Sequence, residues 1–304
     1  MRLHPRRVPY AFALSLAAVL SACSLLIDTR GLGDGASSPE EGAPIDGAAP
    51  TEGSVVEAGA DAPDADASIS NGCPTGRGPK MINVGTHCID STEVTQAQYA
   101  EFLSAKGGDT SGQIPQCAWN STFAPNPGCM HPYDPVAFPN RPIGGEDWCD
   151  ARAYCEWAGK HLCGRIGGGG WVPGYGQNEP TVSEWFAACS HAGDGAHAYP
   201  YGSTYQATAC NGGDRPGGRS ADVGSFTACE GGFPGLFDMS GNLLEWENSC
   251  SPEDGGANAI CSLRGGAFWG GVQELRCDFL GPTIPRNYTD GDCDLTIRCC
   301  ADLQ

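Results

Sequence analysis

Seventeen cysteines in a chain of 304 residues constrain the fold more than any other feature of this sequence. Cysteines at this density are typical of exported proteins, because disulfides persist in an oxidising compartment. The count is odd, so one cysteine needs a different role if all the others pair. Sixteen thiols allow about two million pairings, and the sequence alone therefore leaves the connectivity open.

Cys23 explains the odd count. Residues 20–23 read Leu-Ser-Ala-Cys, the pattern that bacterial signal peptidase II cuts before the cysteine is acylated. Three arginines and a mostly apolar run, residues 8–20, precede it, as in a signal peptide. The apolar run is too short for a transmembrane helix. We expect residues 1–22 to be a lipoprotein signal peptide and Cys23 to carry lipid. The alternative is an ordinary signal peptide cut elsewhere, with Cys23 lost or free.

The next segment is acidic and poor in apolar residues. Residues 24–71 contain ten acidic side chains and a single base, Arg30. Such a segment buries too little apolar surface to offset its conformational entropy, and its like charges repel one another. We therefore predict that residues 23–72 are a disordered tether. Ser24 replaces the aspartate that signals inner-membrane retention in many bacteria, so the expected location is the cell envelope, lipid-anchored in the outer membrane.

The negative charge of the chain restricts its partners. A net charge of −19 and a pI near 4.5 argue against nucleic acid, because phosphate binding needs a Lys/Arg surface. The sequence also has no P-loop and no Ser-His-Asp or Cys-His spacing. The expected partners are the membrane, through the lipid, and a glycan, a peptide or another envelope protein.

Residues 73–304 have the length of one domain, and three segments carry helix signals. Thr95 with Gln98, and Thr181 with Glu184, have the spacing of capping boxes. We predict helices that begin near Thr95 and end before Gly107, that cover about Asp147 to Ala158, and that run from Thr181 to Cys189.

The remaining segments of the domain are predicted to be short strands and turns. Residues 262–264 and 295–298 are the clearest of them. Helices early, strands late and much coil between them predict an irregular, disulfide-linked α+β domain.

Seven motifs follow one another in a recognisable order. They are residues 90–95 with Tyr99 and Phe102, 150–160, 183–185, 199–202, 235–246 (Gly-Leu-Phe-Asp-Met-Ser-Gly-Asn-Leu-Leu-Glu-Trp), 263–268 and 297–299. Together they resemble the formylglycine-generating enzyme (sulfatase-modifying factor) domain and span nearly all of residues 73–304. The resemblance implies an irregular α+β fold related to C-type lectins.

The resemblance also implies a chemistry whose ligands are missing here. The family's enzymes oxidise a sulfatase cysteine to formylglycine with oxygen and a copper(I) ion held by two thiolates, which soft copper(I) prefers. In them the two cysteines follow the Arg-Gly-Gly turn, after a serine. Here residues 266–276 contain no cysteine and Ala267 replaces the serine. We therefore do not expect copper as a cofactor, and a non-catalytic binding domain is the preferred interpretation; a formylglycine-generating oxidoreductase is the alternative.

Two disulfides are implied by the resemblance. Cys155 is expected to pair with Cys299, and Cys189 with Cys277, which removes Cys277 as a copper ligand. The other twelve cysteines are expected to pair within the long loops.

Calcium is the metal that the resemblance favours. The family's site matches the side chains of Asp238 and Glu245 and the carbonyls of Gly241 and Leu243, and oxygen ligands suit a hard cation. The alternative is that Asp238 caps a turn and Glu245 pairs with a base such as Arg264.

Two further features have open interpretations. The segment 191–197 could bind a metal through His191, Asp194 and His197, although a solvated Gly-rich loop is the interpretation that we favour. Four loop aromatics could line a cleft near the missing copper site, or they could form local core, which we favour. These are Trp171, Tyr175, Trp269 and Tyr288.

Overall fold

Short elements joined by long coil make up the architecture of this chain. The computed structural model describes residues 72–129, 133–289 and 294–304, all within one compact unit. The predicted signal peptide, Cys23 and the predicted tether up to residue 71 lie outside the described residues. The described helices are α1 (Gln96–Lys106), α2 (Trp148–Trp157) and α3 (Glu184–Cys189), with 3-10 turns at Pro115–Cys117, Gly174–Gly176 and Thr227–Cys229; the described strands are β1 (Met81–Asn83), β2 (Cys88–Asp90), β3 (His161–Leu162), β4 (Leu244–Trp246), β5 (Ile260–Cys261), β6 (Leu263–Arg264), β7 (Ile284–Pro285), β8 (Leu295–Thr296) and β9 (Cys299–Ala301).

The capping residues predicted for α1 set its ends. The Thr95 hydroxyl accepts from the Gln98 N–H at 3.2 Å, and the Gln98 side chain accepts from the Thr95 N–H at 2.9 Å, which completes the capping box. Gly107 ends the helix in the left-handed conformation, with φ of 55°. α2 matches its predicted range, with Asp147 as its N-cap. In the described parts of the chain, no helix is both long and apolar enough to cross a membrane.

The third helix begins later than predicted, and its cap is a different residue. Ser183 is the N-cap of α3, because its hydroxyl accepts from the Phe186 N–H at 3.1 Å. Thr181 therefore does not start the helix. Glu184 cannot close a capping box, since its buried carboxylate accepts from the Gly164 N–H at 2.8 Å and contacts His161 Nε2 at 3.0 Å.

The principal sheet joins the beginning of the domain to its end. Its order is β1-β2-β9-β3 with every neighbour antiparallel, and Ile89 of β2 and His161 of β3 both pair with Cys300 of β9. Two strands thus precede α1, and the expectation of strands only late in the chain is wrong. Their length of three residues leaves little periodic signal in the sequence. A second sheet, β6-β4-β8, and the pair β5-β7 complete the α+β fold.

α1 and α2 pack through aromatic side chains. Tyr99 and Phe102 of α1 and Tyr154 of α2 are fully buried, with ring centroids 5.3 to 5.7 Å apart. Burial of each such ring contributes roughly 1.5–3 kcal/mol. The Tyr99 hydroxyl donates to the Phe123 carbonyl at 2.8 Å, so its polar atom is satisfied within this core.

Disulfides hold the coil to these elements. The described bridges include both that the resemblance implies, Cys155–Cys299 and Cys189–Cys277. The expectation that the other cysteines pair within loops is wrong for the bridges of Cys88 in β2, Cys149 in α2 and Cys261 in β5. It is also wrong for Cys163, which follows β3 and pairs with Cys300 of β9 across 137 residues. The cause is that β3 and β9 are antiparallel neighbours. The remaining described bridges are Cys73–Cys88, Cys117–Cys149, Cys210–Cys229 and Cys250–Cys261.

Candidate functional site

Three buried carboxylates surround one buried guanidinium. We call Glu93, Asp238, Glu245 and Arg298 the Arg298 cluster; each is at most 2% exposed. Arg298 Nε donates to both oxygens of Glu245, at 2.8 and 2.9 Å. Its two other nitrogens donate to the carbonyls of Asp90 and Phe237 at 2.8 and 3.0 Å. Arg298 therefore connects β4 and β2 to Phe237. This residue directly precedes residues 238–245, which we call the 238–245 turn.

The 238–245 turn has an unusual backbone conformation, which positions the carboxyl groups of the cluster. Asp238, Gly241 and Asn242 have φ of 58°, 79° and 60°, the left-handed region that glycine adopts most easily. A Cβ on Gly241 would lie 2.3 Å from the Asn211 carbonyl oxygen, so only glycine fits there. The turn places the Leu243 N–H 3.0 Å from Glu93 Oε1.

The cluster contains more carboxyl groups than basic groups. Burial raises the pKa of Glu93 well above its ordinary value, and the charges of Asp238 and Glu245 raise it further. Burial also raises the pKa values of Asp238 and Glu245, against which Arg298 acts to lower them. Three carboxyl groups face one guanidinium, so the site retains a proton or attracts a further cation.

Of the residues expected to bind calcium, Glu245 already has partners on both carboxylate oxygens and Asp238 has one on a single oxygen. Glu245 accepts from Trp185 Nε1 at 2.6 Å as well as from Arg298, and one Asp238 oxygen accepts from the Gly224 N–H at 2.5 Å. The excess negative charge of the cluster suits a divalent cation. Ligation by Glu245, in contrast, requires Arg298 or Trp185 to release an oxygen.

The sequence-based alternative for Glu245 named the wrong base. Arg264 lies 3.7 Å from Glu247 and donates to the Gln177 carbonyl, whereas Glu245 pairs with Arg298. Glu93 was missed altogether, although it lies inside the 90–95 motif. Its role depends on the Asn242 side chain and the Leu243 N–H, about 150 residues away, which no local pattern reveals.

No thiolate is available in the stretch where the family's enzymes hold copper. We call residues 267–277 the 267–277 loop; Ala267 is buried, and Cys277 is bonded to Cys189. Every cysteine in residues 72–129, 133–289 and 294–304 is disulfide-bonded. A disulfide sulfur is not the soft anionic ligand that copper(I) requires.

A small cavity of about 250 Å³ borders the end of this loop. Arg276 and Asp278, which flank Cys277, line it together with Phe186, His197 and nearby small residues. Its lining contains none of the four loop aromatics that could have formed a cleft. Tyr175 is 83% exposed and Trp269 43% exposed, so neither forms local core, contrary to the favoured interpretation.

The match to a family agrees with this geometry. The model of the FGE-sulfatase family, described as the sulfatase-modifying factor enzyme 1-like domain, matches residues 44–300. This chain belongs to that family. The α+β architecture, the 238–245 turn and the two implied bridges are thus features of a sulfatase-modifying factor domain in this chain.

Curated relatives of this sulfatase-modifying factor domain include proteins named as inactive. The chain is 34% identical over 117 residues to "Inactive C-alpha-formylglycine-generating enzyme 2" of Bos taurus (36% of this chain, 33% of the relative). It is 25% identical over 215 residues to the protein of the same name in Mus musculus (57% and 62%). It is also 27% identical over 154 residues to "Serine/threonine-protein kinase pkn1" of Chlamydia pneumoniae (46% and 21%). The matches thus cover less than two thirds of each relative.

Solved structures similar to this domain share little sequence with it. "Structure of PvdO from Pseudomonas aeruginosa" is 20% identical with a TM-score of 0.48, covering 71% of this chain and 80% of that one. "Crystal Structure of CarF" is 17% identical with a TM-score of 0.49, covering 75% and 97%. At these scores the structural likeness adds nothing to the family assignment, which rests on the sequence match.

Proposed function

We propose that this protein is a lipid-anchored component of the bacterial cell envelope whose sulfatase-modifying factor domain binds a ligand without catalysing a reaction. The observation that carries the proposal is the cysteine chemistry of the 267–277 loop. The loop has no cysteine before Cys277, and Cys277 is bonded to Cys189. The relatives named as inactive formylglycine-generating enzymes also support a non-catalytic domain.

Thiol counting tests the non-catalytic proposal directly. The full chain, denatured without reductant, is treated with a chromogenic thiol reagent, and the native chain is titrated with copper(I) and incubated with a sulfatase-motif cysteine peptide. We expect no free thiol in the lipidated chain, no tight copper(I) binding and an unchanged peptide. Two free thiols, with copper(I) bound and the peptide cysteine converted to formylglycine, would establish the oxidoreductase instead.

The lipid anchor is part of the proposal and rests on residues 20–23 and the acidic segment after them. Metabolic labelling with an alkyne palmitate analogue tests it. Label should enter the wild-type chain and be lost in Cys23→Ala, with the labelled chain recovered in the outer-membrane fraction. An unlabelled wild-type chain contradicts the anchor.

The binding surface that we propose is the exposed part of the 267–277 loop. Trp269 and Val272 are 43% and 47% exposed there, and Trp269 Nε1 donates to Asp294 at 2.6 Å, which holds the indole in place. A fixed aromatic ring at the surface stacks on a sugar ring or an apolar peptide side chain. The ligand is therefore an envelope glycan, a peptide or another envelope protein.

A glycan array probed with the full chain, together with co-purification from membranes, identifies the ligand class. Trp269→Ala should reduce binding to any captured ligand at least tenfold. Tyr175→Ala removes another exposed aromatic, outside the loop, and should leave binding unchanged. Equal binding by the Trp269 variant would place the ligand elsewhere.

We also propose that calcium stabilises the domain at Asp238, Gly241, Leu243 and Glu245. The support is the excess of buried carboxyl groups over basic groups in the Arg298 cluster: a bound divalent cation would favour their ionised form, which burial disfavours. Calorimetric titration with calcium and the melting temperature with and without chelator test this. If calcium produces neither heat nor a rise in melting temperature, then calcium does not bind and Arg298 is the cation that stabilises the buried carboxyl groups.

A further inference from the structure

The segment 191–197, which we call the histidine loop, brings two imidazoles onto one carboxylate oxygen. His191 Nδ1 lies 2.9 Å and His197 Nδ1 2.8 Å from Oδ2 of Asp194. One ligand atom from each of the three residues lies within 4.8 Å of the others. Among the described residues, no other group of three or more His, Cys, Asp or Glu side chains has such spacing.

Neighbouring groups hold this arrangement in place. The second oxygen of Asp194 accepts from the Ala196 N–H at 2.7 Å, which orients the carboxylate towards the imidazoles. The His191 ring packs edge-on against Phe233, with centroids 4.7 Å apart. Gly232 packs directly against the His191 ring: a Cβ at this position would lie 2.8 Å from the imidazole. Such contacts around ligand side chains are typical of metal sites.

The backbone of the histidine loop is strained. His191 and Ala192 have φ of 51° and 57°, although neither is glycine, and Gly193 continues the left-handed run with φ of 73°. Each non-glycine residue held there costs of order 1–3 kcal/mol, and such costs cluster at functional sites. The reversal of the chain at these residues allows His191 to reach a carboxylate only three positions later.

We propose that His191 Nδ1, Asp194 Oδ2 and His197 Nδ1 bind Zn²⁺ or a similar divalent transition metal. Imidazole with carboxylate is a donor set that suits zinc, and calcium avoids imidazole. Ligand atoms around a tetrahedral zinc lie roughly 3.3–3.5 Å apart, given bond lengths of about 2.0–2.2 Å. The two nitrogen–oxygen distances, 2.9 and 2.8 Å, are slightly shorter than this range, and one ligand atom from each of the three residues lies within 4.8 Å of the others. Ligation through Nδ1 requires each imidazole to be neutral and to carry its proton on Nε2, so the metal replaces the present Nδ1–Oδ2 contacts.

Three protein ligands leave the fourth zinc position open to water or to a donor atom from outside the chain. The three side chains are between 19% and 39% exposed, so an ion reaches them from solvent. His197 also lines the cavity of about 250 Å³ described above. The proposed ion thus lies beside a cavity that Arg276 and Asp278 also line. This site is separate from the Arg298 cluster and does not depend on the proposed binding function.

Metal titration of the full chain, stripped with chelator and carrying no histidine tag, tests the proposal. Zn²⁺ is titrated in competition with a chromophoric chelator, and Co²⁺ is added separately to read its visible absorption. We expect one equivalent of Zn²⁺ and an intense Co²⁺ band typical of four-coordination. Absence of binding at micromolar Zn²⁺ would overturn the proposal.

Variants locate the ion. His197→Ala and Asp194→Asn should each weaken Zn²⁺ binding at least tenfold and abolish the Co²⁺ band, with the melting temperature of the metal-free chain as the check on folding. Asp214→Asn is the control, because it removes the same charge from a carboxylate outside the histidine loop that accepts a hydrogen bond from the Tyr205 hydroxyl. This variant should bind Zn²⁺ as the wild type does. If His191→Ala and His197→Ala combined retain wild-type binding, or if Asp214→Asn weakens it equally, the histidine loop is not the site.

Discussion

Arg298 and Glu245 form a buried ion pair 53 residues apart in sequence, with Nε of the arginine within 2.9 Å of both carboxylate oxygens. Both side chains are almost completely shielded from solvent. Because Asp238 and Glu93 add two further buried carboxyl groups, this arginine is the cation that makes the 238–245 turn compatible with the core. The same residues that resemble a calcium motif are therefore organised around a guanidinium.

Arg298→Ala should destabilise the domain by about 3–5 kcal/mol, because it leaves a buried carboxylate without its partner. Chemical denaturation at neutral pH measures the loss. Arg276→Ala is the matched control, since its ion pair with Asp278 is exposed and worth at most about 1 kcal/mol. A loss below 1 kcal/mol for Arg298→Ala would show that Glu93, Asp238 and Glu245 need no arginine.

The stability of the domain should change with pH through Asp147, the N-cap of α2. Burial raises the pKa of Asp147 to about 6, from an ordinary value of 3.8. Between these values the folded chain holds a proton that the unfolded chain releases, so the free energy of unfolding falls as pH rises from about 4 to about 6. Asp147→Asn keeps an oxygen that accepts the capping N–H bonds but does not titrate.

Denaturation of both chains from pH 4 to pH 7 checks this. The stability of Asp147→Asn relative to wild type should rise by about 1–3 kcal/mol across the window and stay constant above it. Groups that do not interact with Asp147 cancel in the comparison, including His87, whose pKa burial lowers. Asp150 and Glu146 do not cancel, because the charge of Asp147 helps to raise their pKa values, so the measured difference reports the titration of the three groups together. A flat difference would mean that Asp147 titrates at its ordinary pKa.

The sequence predicted those parts of the fold that are determined by residues close together in the chain. The Thr95–Gln98 capping box and the glycine that ends α1 are read from residues within one turn. The start of α3 was misplaced, because Glu184 bonds to Gly164 and His161 rather than to its own helix. β1 and β2 were missed because each is only three residues long, and because β2 pairs with β9, more than 200 residues later, as well as with β1.

The same division holds for the site. The 238–245 turn was predicted from the motif that contains it, whereas Glu93 and Arg298 join it through contacts that no spacing reports. The cluster of His191, Asp194 and His197 was visible in the sequence but was judged to be a solvated loop. The left-handed backbone at His191 and Ala192, which brings the rings together, has only a weak sequence signal, because histidine adopts this conformation occasionally and alanine rarely.

Gly241→Ala should destabilise the domain by more than about 2 kcal/mol. Its Cβ would lie 2.3 Å from the Asn211 carbonyl oxygen, and φ of 79° is strained for alanine. Gly256→Ala is the matched control, because a Cβ there meets nothing within 4 Å, and it should change stability by less than about 1 kcal/mol. Thermal denaturation of the two variants compares them; equal melting temperatures would contradict the close approach of the turn to Asn211.

The adjacent bridges Cys155–Cys299 and Cys163–Cys300 should stabilise the domain non-additively. Each closes a long segment, of 144 and 137 residues, but while one remains the other closes a loop of only about ten residues. Because Cys189–Cys277 shortens the long loops to roughly 50–60 residues, the loop-entropy relation gives about 3 kcal/mol for losing either bridge and about 7 kcal/mol for losing both. Denaturation of the two double-alanine variants and their combination forms a cycle in which side-chain cavities cancel. A combined loss equal to the sum would show that the bridges act independently.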